Sequence, residues 1–286
     1  MAAPSVVEWD NVKQEIDGFG ASCAWVSTNQ LTDAAADAFF SPTNGIGLSL
    51  LRARISPGGP LAPQAFDYAY ASPGSIECMQ KAIARGATVW STPWTPKASY
   101  KDNNNVNNGG HLLTNNYQAY ATELANYVKT LATSNGINLY ALSLQNEPNL
   151  ATTYESCQYS GQQLHDFLAV LGPTFAANGV TATKLMLPET DNCDYSYAAP
   201  SLNDTNTAQY VGLIAQHLYQ GRAERLPVGA QSGLAHMANG DVGILGLRSQ
   251  YEQWLDPGRP DAQLPGHLQF QCLSLLVAVG RRLRRQ

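Results

Sequence analysis

Residues 138–148 read NLYALSLQNEP, an apolar run of strand length that ends in a glutamate held between asparagine and proline. Runs of the same kind recur at GLSLLRARI (47–55), GATVWSTPW (86–94), TKLMLPET (183–190) and VGLIAQHLY (211–219), each bounded by Gly, Pro or Asn. A glycine-rich run, EIDGFGASCAW (15–25), precedes them. Helical patterns lie between. SPGSIECMQKAIARG (72–86) has a Ser-Pro start and a Gly stop, and residues 115–136 place Tyr117, Tyr120, Leu124, Val128 and Leu131 at spacings of three and four. A third helix over 160–179 is expected to break at Pro173. Six alternations of strand and helix predict an α/β fold with a parallel sheet covered by helices.

The polar residues decide which parallel architecture this is. Trp94, Glu147, Glu189, His217 and Tyr219 fall at or just past C-terminal strand ends, the face on which a (β/α)8 TIM barrel assembles its site. No GxGxxG opens a helix after the first strand, which disfavours a dinucleotide fold. With 286 residues, 44% of them hydrophobic, the chain can bury a barrel-sized core. A charged fraction of 14% and a net charge of −5 argue against a nucleic-acid partner. No apolar run is long enough to span a membrane, and the N-terminal MAAPSVVEWDNV lacks the apolar core of a signal peptide. Cys23, Cys78, Cys157, Cys193 and Cys272 show no metal-ligand spacing, so no metal site is expected. Buried thiols are one reading of them and a Cys157–Cys193 disulfide is another. Asn203-Asp204-Thr205 has the N-glycosylation acceptor pattern.

Taken in order, IDGFGASCAW, LLRARISP, STPWTPKASYKDNNNVNNGGHL, LYALSLQNEPN and IAQHLY resemble glycoside hydrolase family 30. The PW.P loop and the Y.S segment at 154–156 resemble its glucuronoxylan and xylan hydrolases most, with β-1,6-glycan hydrolases next. The resemblance implies a retaining, endo-acting hydrolase of a β-linked polysaccharide, monomeric, needing no cofactor, and extracellular because its substrate is. It also implies a barrel carrying a small side β-domain. Glu147 would be the general acid/base and Asn146 would face the sugar 2-hydroxyl. Trp25 and Trp94 would wall the cleft, His217 and Tyr219 would line it, and Arg52 would hold a carboxylate near the barrel centre. Each has a structural alternative: Trp25 and Trp94 as packing, His217 as a satisfied core histidine, Arg52 as an internal ion-pair partner, Glu189 as a brace. The NNNVNNGG tract (103–110) reads as a flexible polar loop.

A retaining glycosidase needs a second carboxylate about 5 to 5.5 Å from the first. The resemblance places it in a W.TE-type segment at the end of strand seven, near residues 236–242, where this chain reads HMANGDV. Asp241 has too short an arm to replace a glutamate there. Composition changes in the same region: all six lysines precede Gln220, and the eight basic residues after it are all arginine. Reading each codon one base later, HMANGDVG (236–243) permits Ile/Thr-Trp-Gln-Thr-Glu-Met-Ser, and HLQFQCLSLLV (267–277) permits Ile-Ser-Asn-Phe-Asn-Ala-Phe-His-Tyr-Trp-Trp. The Trp codon of the first segment is forced by Met237-Ala238. The expectation is a departure from the ancestral frame between His217 and Leu226, through a gene lesion or a sequencing or assembly error. Residues 1–220 would hold six intact β/α units, and 221–286 would be an aberrant tail replacing strands seven and eight and leaving a remnant of the side domain. The chain as written is then expected to lack a closing strand, to expose two sheet edges and to be inactive. The alternative is a non-catalytic carbohydrate-binding pseudoenzyme.

Overall fold

The computed structural model describes residues 18–24, 26, 28–57, 72–192, 194–217, 243–249 and 274–279. Six parallel strands follow the expected runs: β1 (Gly18–Ser22), β2 (Leu50–Ile55), β3 (Thr88–Pro93), β4 (Ala141–Ser143), β5 (Lys184–Pro188) and β6 (Val211–His217). Helices α1 (Asp33–Phe40), α2 (Ser72–Ile83), α3 (Tyr117–Asn135) and α4 (Gly161–Ala177) lie between them, with the short α5 (Ala199–Asn203) and α6 (Thr205–Ala208) ahead of β6. No helix among the described residues is long and apolar enough to cross a membrane.

Two further strands correct the expectation of an open sheet. β7 (Gly243–Ser249) pairs parallel to β6, and β8 (Ser274–Val279) pairs antiparallel to both β7 and β1, so the sheet closes into an eight-stranded barrel. The apolar runs GILGL and SLLVAV occupy the hydrogen-bonding edges that six strands alone would expose. The residues GRRLRRQ therefore follow a closing strand. The antiparallel β8 still departs from an all-parallel (β/α)8 barrel, and six β/α units remain the intact part. All strands among the described residues belong to this sheet; the remnant of a side β-domain falls outside those residues.

Helix α3 forms where its spacing predicts, buries Tyr117, Tyr120, Leu124, Tyr127, Val128 and Leu131, and stops at Gly136 in the left-handed region (φ 67°). Helix α4 opens with a Ser160/Gln163 capping box and runs straight through Pro173, against expectation. Its interior proline costs about 3 kcal/mol. Phe167, Leu168, Leu171 and Phe175 are buried along the same helix, each contributing roughly 1.5–3 kcal/mol, so packing outweighs the break. Phe167 sits 5.4 Å from the Tyr117 ring and 5.5 Å from the Tyr120 ring, which fixes α4 on α3. The Thr174 hydroxyl also donates to Val170 O at 2.7 Å, beside the interruption.

The asparagine tract is pinned rather than loose. Asn103 Nδ2 donates to three carbonyls of residues 107–109, Gly109 N donates to Ser156 Oγ (2.9 Å), and Gln158 N donates to Gly110 O (2.7 Å). Short amide side chains bonding to nearby backbone supply the turns that a flexible reading misses. Arg54 on β2 forms an ion pair with Glu155, which ties the paired segment after β4 to the barrel. Cys157 within that segment is a buried free thiol whose pKa burial pushes up to about 12, and the disulfide reading falls on Cys193, which lies outside the described residues.

Candidate active site

Period-two alternation along the strands builds the site. Leu50, Trp90, Ala141, Met186, Leu213 and Ala215 form an apolar cluster separate from the helix-packed core, which places them in the barrel interior. Two residues further along the same faces the side chains turn polar: Leu50 leads to Arg52, Trp90 to Thr92, Ala141 to Ser143, and Ala215 to His217. The C-terminal barrel mouth is therefore lined with chemistry standing on an apolar plug.

Glu147 and Glu189 both adopt left-handed backbone, φ 45° and 57°. Glutamate rarely does so, and held strain of this kind clusters at functional sites. The strain is held by hydrogen bonds: Glu147 N donates to Glu189 O (3.0 Å), and Glu189 N donates to Ala215 O (2.8 Å).

His217 connects the two carboxylates. Its Nδ1 lies 2.9 Å from Glu147 Oε1 and its Nε2 lies 3.2 Å from Glu189 Oε1. Glu189 Oε1 also accepts from Arg52 Nε (3.1 Å) and Nη2 (2.8 Å), while Oε2 accepts from the Thr92 hydroxyl (3.1 Å). Arg52 Nη2 donates in turn to Asn146 Oδ1 (2.6 Å), and the guanidinium lies over the Trp94 ring, 4.3 Å from its centroid. The side chain of Glu189 is fully buried, whereas that of Glu147 is 12% exposed. Only Glu147 of the pair meets solvent.

Glu147, Asn146, Arg52, Trp94 and His217 thus converge, and Trp25 and Tyr219 lie outside the described residues. Arg52 does hold a carboxylate, that of Glu189. His217 is 1% exposed with both ring nitrogens engaged, so it reaches the cleft through Glu147. One face of Trp94 is taken by Arg52. The Arg54–Glu155 anchor was not singled out in the sequence, although Arg52 and Arg54 two apart on one strand place both guanidiniums on one face. Among the described residues no three His, Cys, Asp or Glu side chains converge to hold a metal ion.

Burial alone would raise the Glu189 carboxyl, but the charge of Arg52 and the contact with His217 prevail and hold it below the usual range. Burial alone would lower His217, but Glu147 and Glu189 prevail and raise it. The two shifts bound stability from opposite sides. The Glu189 contribution is present above its unfolded pKa and is lost as pH falls through the depressed folded value. The His217 contribution is complete below its unfolded pKa and is lost as pH rises through the raised folded value. Melting temperature against pH should therefore peak between these limits, and His217→Gln should flatten the alkaline limb. An unchanged alkaline limb in that variant would refute the assignment.

Residues 64–248 match the family model described as the glycosyl hydrolase family 30 TIM-barrel domain. The chain is 29% identical over 219 residues to the glucuronoxylanase XynC of Bacillus subtilis (strain 168), covering 75% of this chain and 47% of that protein. It spans about half the length of the curated relatives it matches. Among solved structures, the family 30 subfamily 8 xylanase Xyn30A from Clostridium acetobutylicum superposes with TM-score 0.66 at 37% identity, over 80% of this chain and 55% of that one. The catalytic domain of the family 30 xylanase C from Talaromyces cellulolyticus gives 0.61 at 28% identity, over 76% and 56%. A match over well more than half its length, on a barrel of the same kind, establishes that the chain belongs to glycosyl hydrolase family 30.

Proposed function

We propose that this barrel descends from a retaining, endo-acting hydrolase of a β-linked polysaccharide, xylan or glucuronoxylan-like or a β-1,6-glycan, with Glu147 as general acid/base. One observation carries the reading: Glu147 is the carboxylate that reaches the barrel mouth, while its neighbour Glu189 is buried with both oxygens engaged. In the first half-reaction Glu147 gives its proton to the leaving glycosidic oxygen as the C–O bond breaks. In the second it takes a proton from the water that attacks the anomeric carbon. The similarity to XynC of B. subtilis and Xyn30A of C. acetobutylicum supports xylan as the first substrate to test. Such a substrate lies outside cells, which supports secretion.

The chemistry also needs a nucleophile, and Glu189 cannot serve because Arg52, His217 and Thr92 occupy it. β7, where the partner is expected, reads GILGLRS, and β8 reads SLLVAV; neither contains an acidic residue. With no carboxylate from either of these strands, our reading is that the chain as written is inactive, with its tail out of frame after about residue 220. The same absence favours, as a second reading, a protein that binds carbohydrate without cleaving it. Incubating the purified chain with glucuronoxylan and β-1,6-glucan tests both. Binding without turnover is expected. Turnover with retained anomeric configuration, abolished by Glu147→Gln, would overturn the inactivity.

A further inference from the structure

Glu189 is a buried carboxylate that the hydrolytic scheme leaves without a task, yet among the described residues it takes more of the site's polar contacts than Glu147 does. We propose that Glu189 is a positioning residue that fixes a proton on Nε2 of His217, so that His217 and Glu147 share one mobile proton through Nδ1. The proposal deepens the acid/base reading of Glu147 and rests on it.

The geometry supports this through proton inventory. A neutral imidazole carries one N–H and an imidazolium two. Nε2 faces Glu189 Oε1 at 3.2 Å, an oxygen kept anionic by the Arg52 guanidinium at 2.8 Å and unable to turn away because Oε2 is held by Thr92. An N–H is therefore favoured at Nε2 in either charge state. Nδ1, 2.9 Å from Glu147 Oε1, is left as the position that exchanges. The proton on that contact resides either on Nδ1, pairing an imidazolium with a carboxylate, or on Glu147, which then donates to the Nδ1 lone pair. Moving between these states breaks one N–H bond and forms one O–H bond, and net charge is conserved. Among the described residues the titratable and charged groups facing His217 are Glu147 after β4, Glu189 after β5 and Arg52 on β2; β3 contributes the neutral Thr92, and the Leu247 backbone of β7 stands level with it in the sheet.

The test is long-range ¹H–¹⁵N NMR of the full chain with ¹⁵N-labelled imidazoles, from about pH 5 to about pH 9. Its five histidines are assigned by loss of the His217 signals in His217→Gln. The expected result is that Nε2 of His217 keeps its proton throughout while Nδ1 titrates, and that Glu189→Gln shifts that titration to lower pH. Loss of the Glu189 charge lowers that titration even for a mere brace, so the discriminating signal is the neutral ring: in Glu189→Gln its Nδ1–H form should gain population, and an unchanged Nε2–H preference would mean that Glu189 only braces the site. A neutral His217 protonated on Nδ1 in the unsubstituted chain overturns the proposal, whatever becomes of the variant. Neither result depends on turnover, so failure here leaves the acid/base reading standing. That reading fails separately if Glu147→Gln retains activity in a chain with the nucleophile segment restored.

Discussion

Arg52→Leu should be among the most destabilising single substitutions in the described part of this chain, lowering stability by about 3–5 kcal/mol. The guanidinium meets Glu189 at 2.8 Å with side-chain exposures of 6% and 0%, so solvent does not screen the pair. It also donates to Asn146 and lies over the Trp94 ring. Removing it strands a carboxylate that burial alone would protonate, with the neutral Thr92 hydroxyl and His217 among the described groups left to compensate. For a domain of this size that loss corresponds to a melting temperature lower by about 10 °C. The double variant Arg52→Leu, Glu189→Leu separates charge from packing. Apolar groups in place of both partners often cost little, so the double variant should melt above the single one. A single variant that melts within about a degree of the parent, by calorimetry, would mean that the pair does not brace the barrel.

That brace marks where the sequence stops being informative. β2 to β6 and α2 to α4 were legible because apolar periodicity and Gly, Pro or Asn boundaries are local signals. Glu147 was legible for the same reason, as a carboxylate at a strand exit. Its left-handed backbone was not, nor was the His217 bridge, whose partners lie 70 and 28 residues away and meet only when the barrel curls. Pro173 misled because interior proline is a local penalty, whereas the packing of Phe167 on Tyr117 and Tyr120 is tertiary. β7 and β8 were missed for a different reason. The tail departs from the family pattern, yet GILGL and SLLVAV can satisfy unpaired sheet edges by being apolar and of strand length. That role needs no family motif.

Closing a sheet and completing an active site are separate demands, and the pairing of β7 and β8 bears on the first. On the proposed reading of an inactive, frame-shifted chain, restoring the frame after about residue 220 should produce a β-glycan hydrolase, a gain of at least about 10³-fold over background. The family match runs through residue 248, so the compositional break falls inside the span the barrel domain occupies. Within that span the shifted codons of residues 236–243 permit Trp-Gln-Thr-Glu, and those of 267–277 permit a second family-like segment in the same frame and the right order. The chain as written instead sets Leu247 level with His217 and supplies no carboxylate from β7. A restored glutamate at the end of strand seven would stand across the barrel from Glu147, where a separation of about 5–5.5 Å gives retention of configuration. Reading the nucleotides for residues 215–245 comes first: an uninterrupted alternative frame encoding Trp-Gln-Thr-Glu is the expected result, and a frame full of stops ends the idea. The rebuilt chain should then cleave glucuronoxylan or β-1,6-glucan with retention and lose that activity on Glu147→Gln, because the nucleophile alone cannot protonate the leaving oxygen.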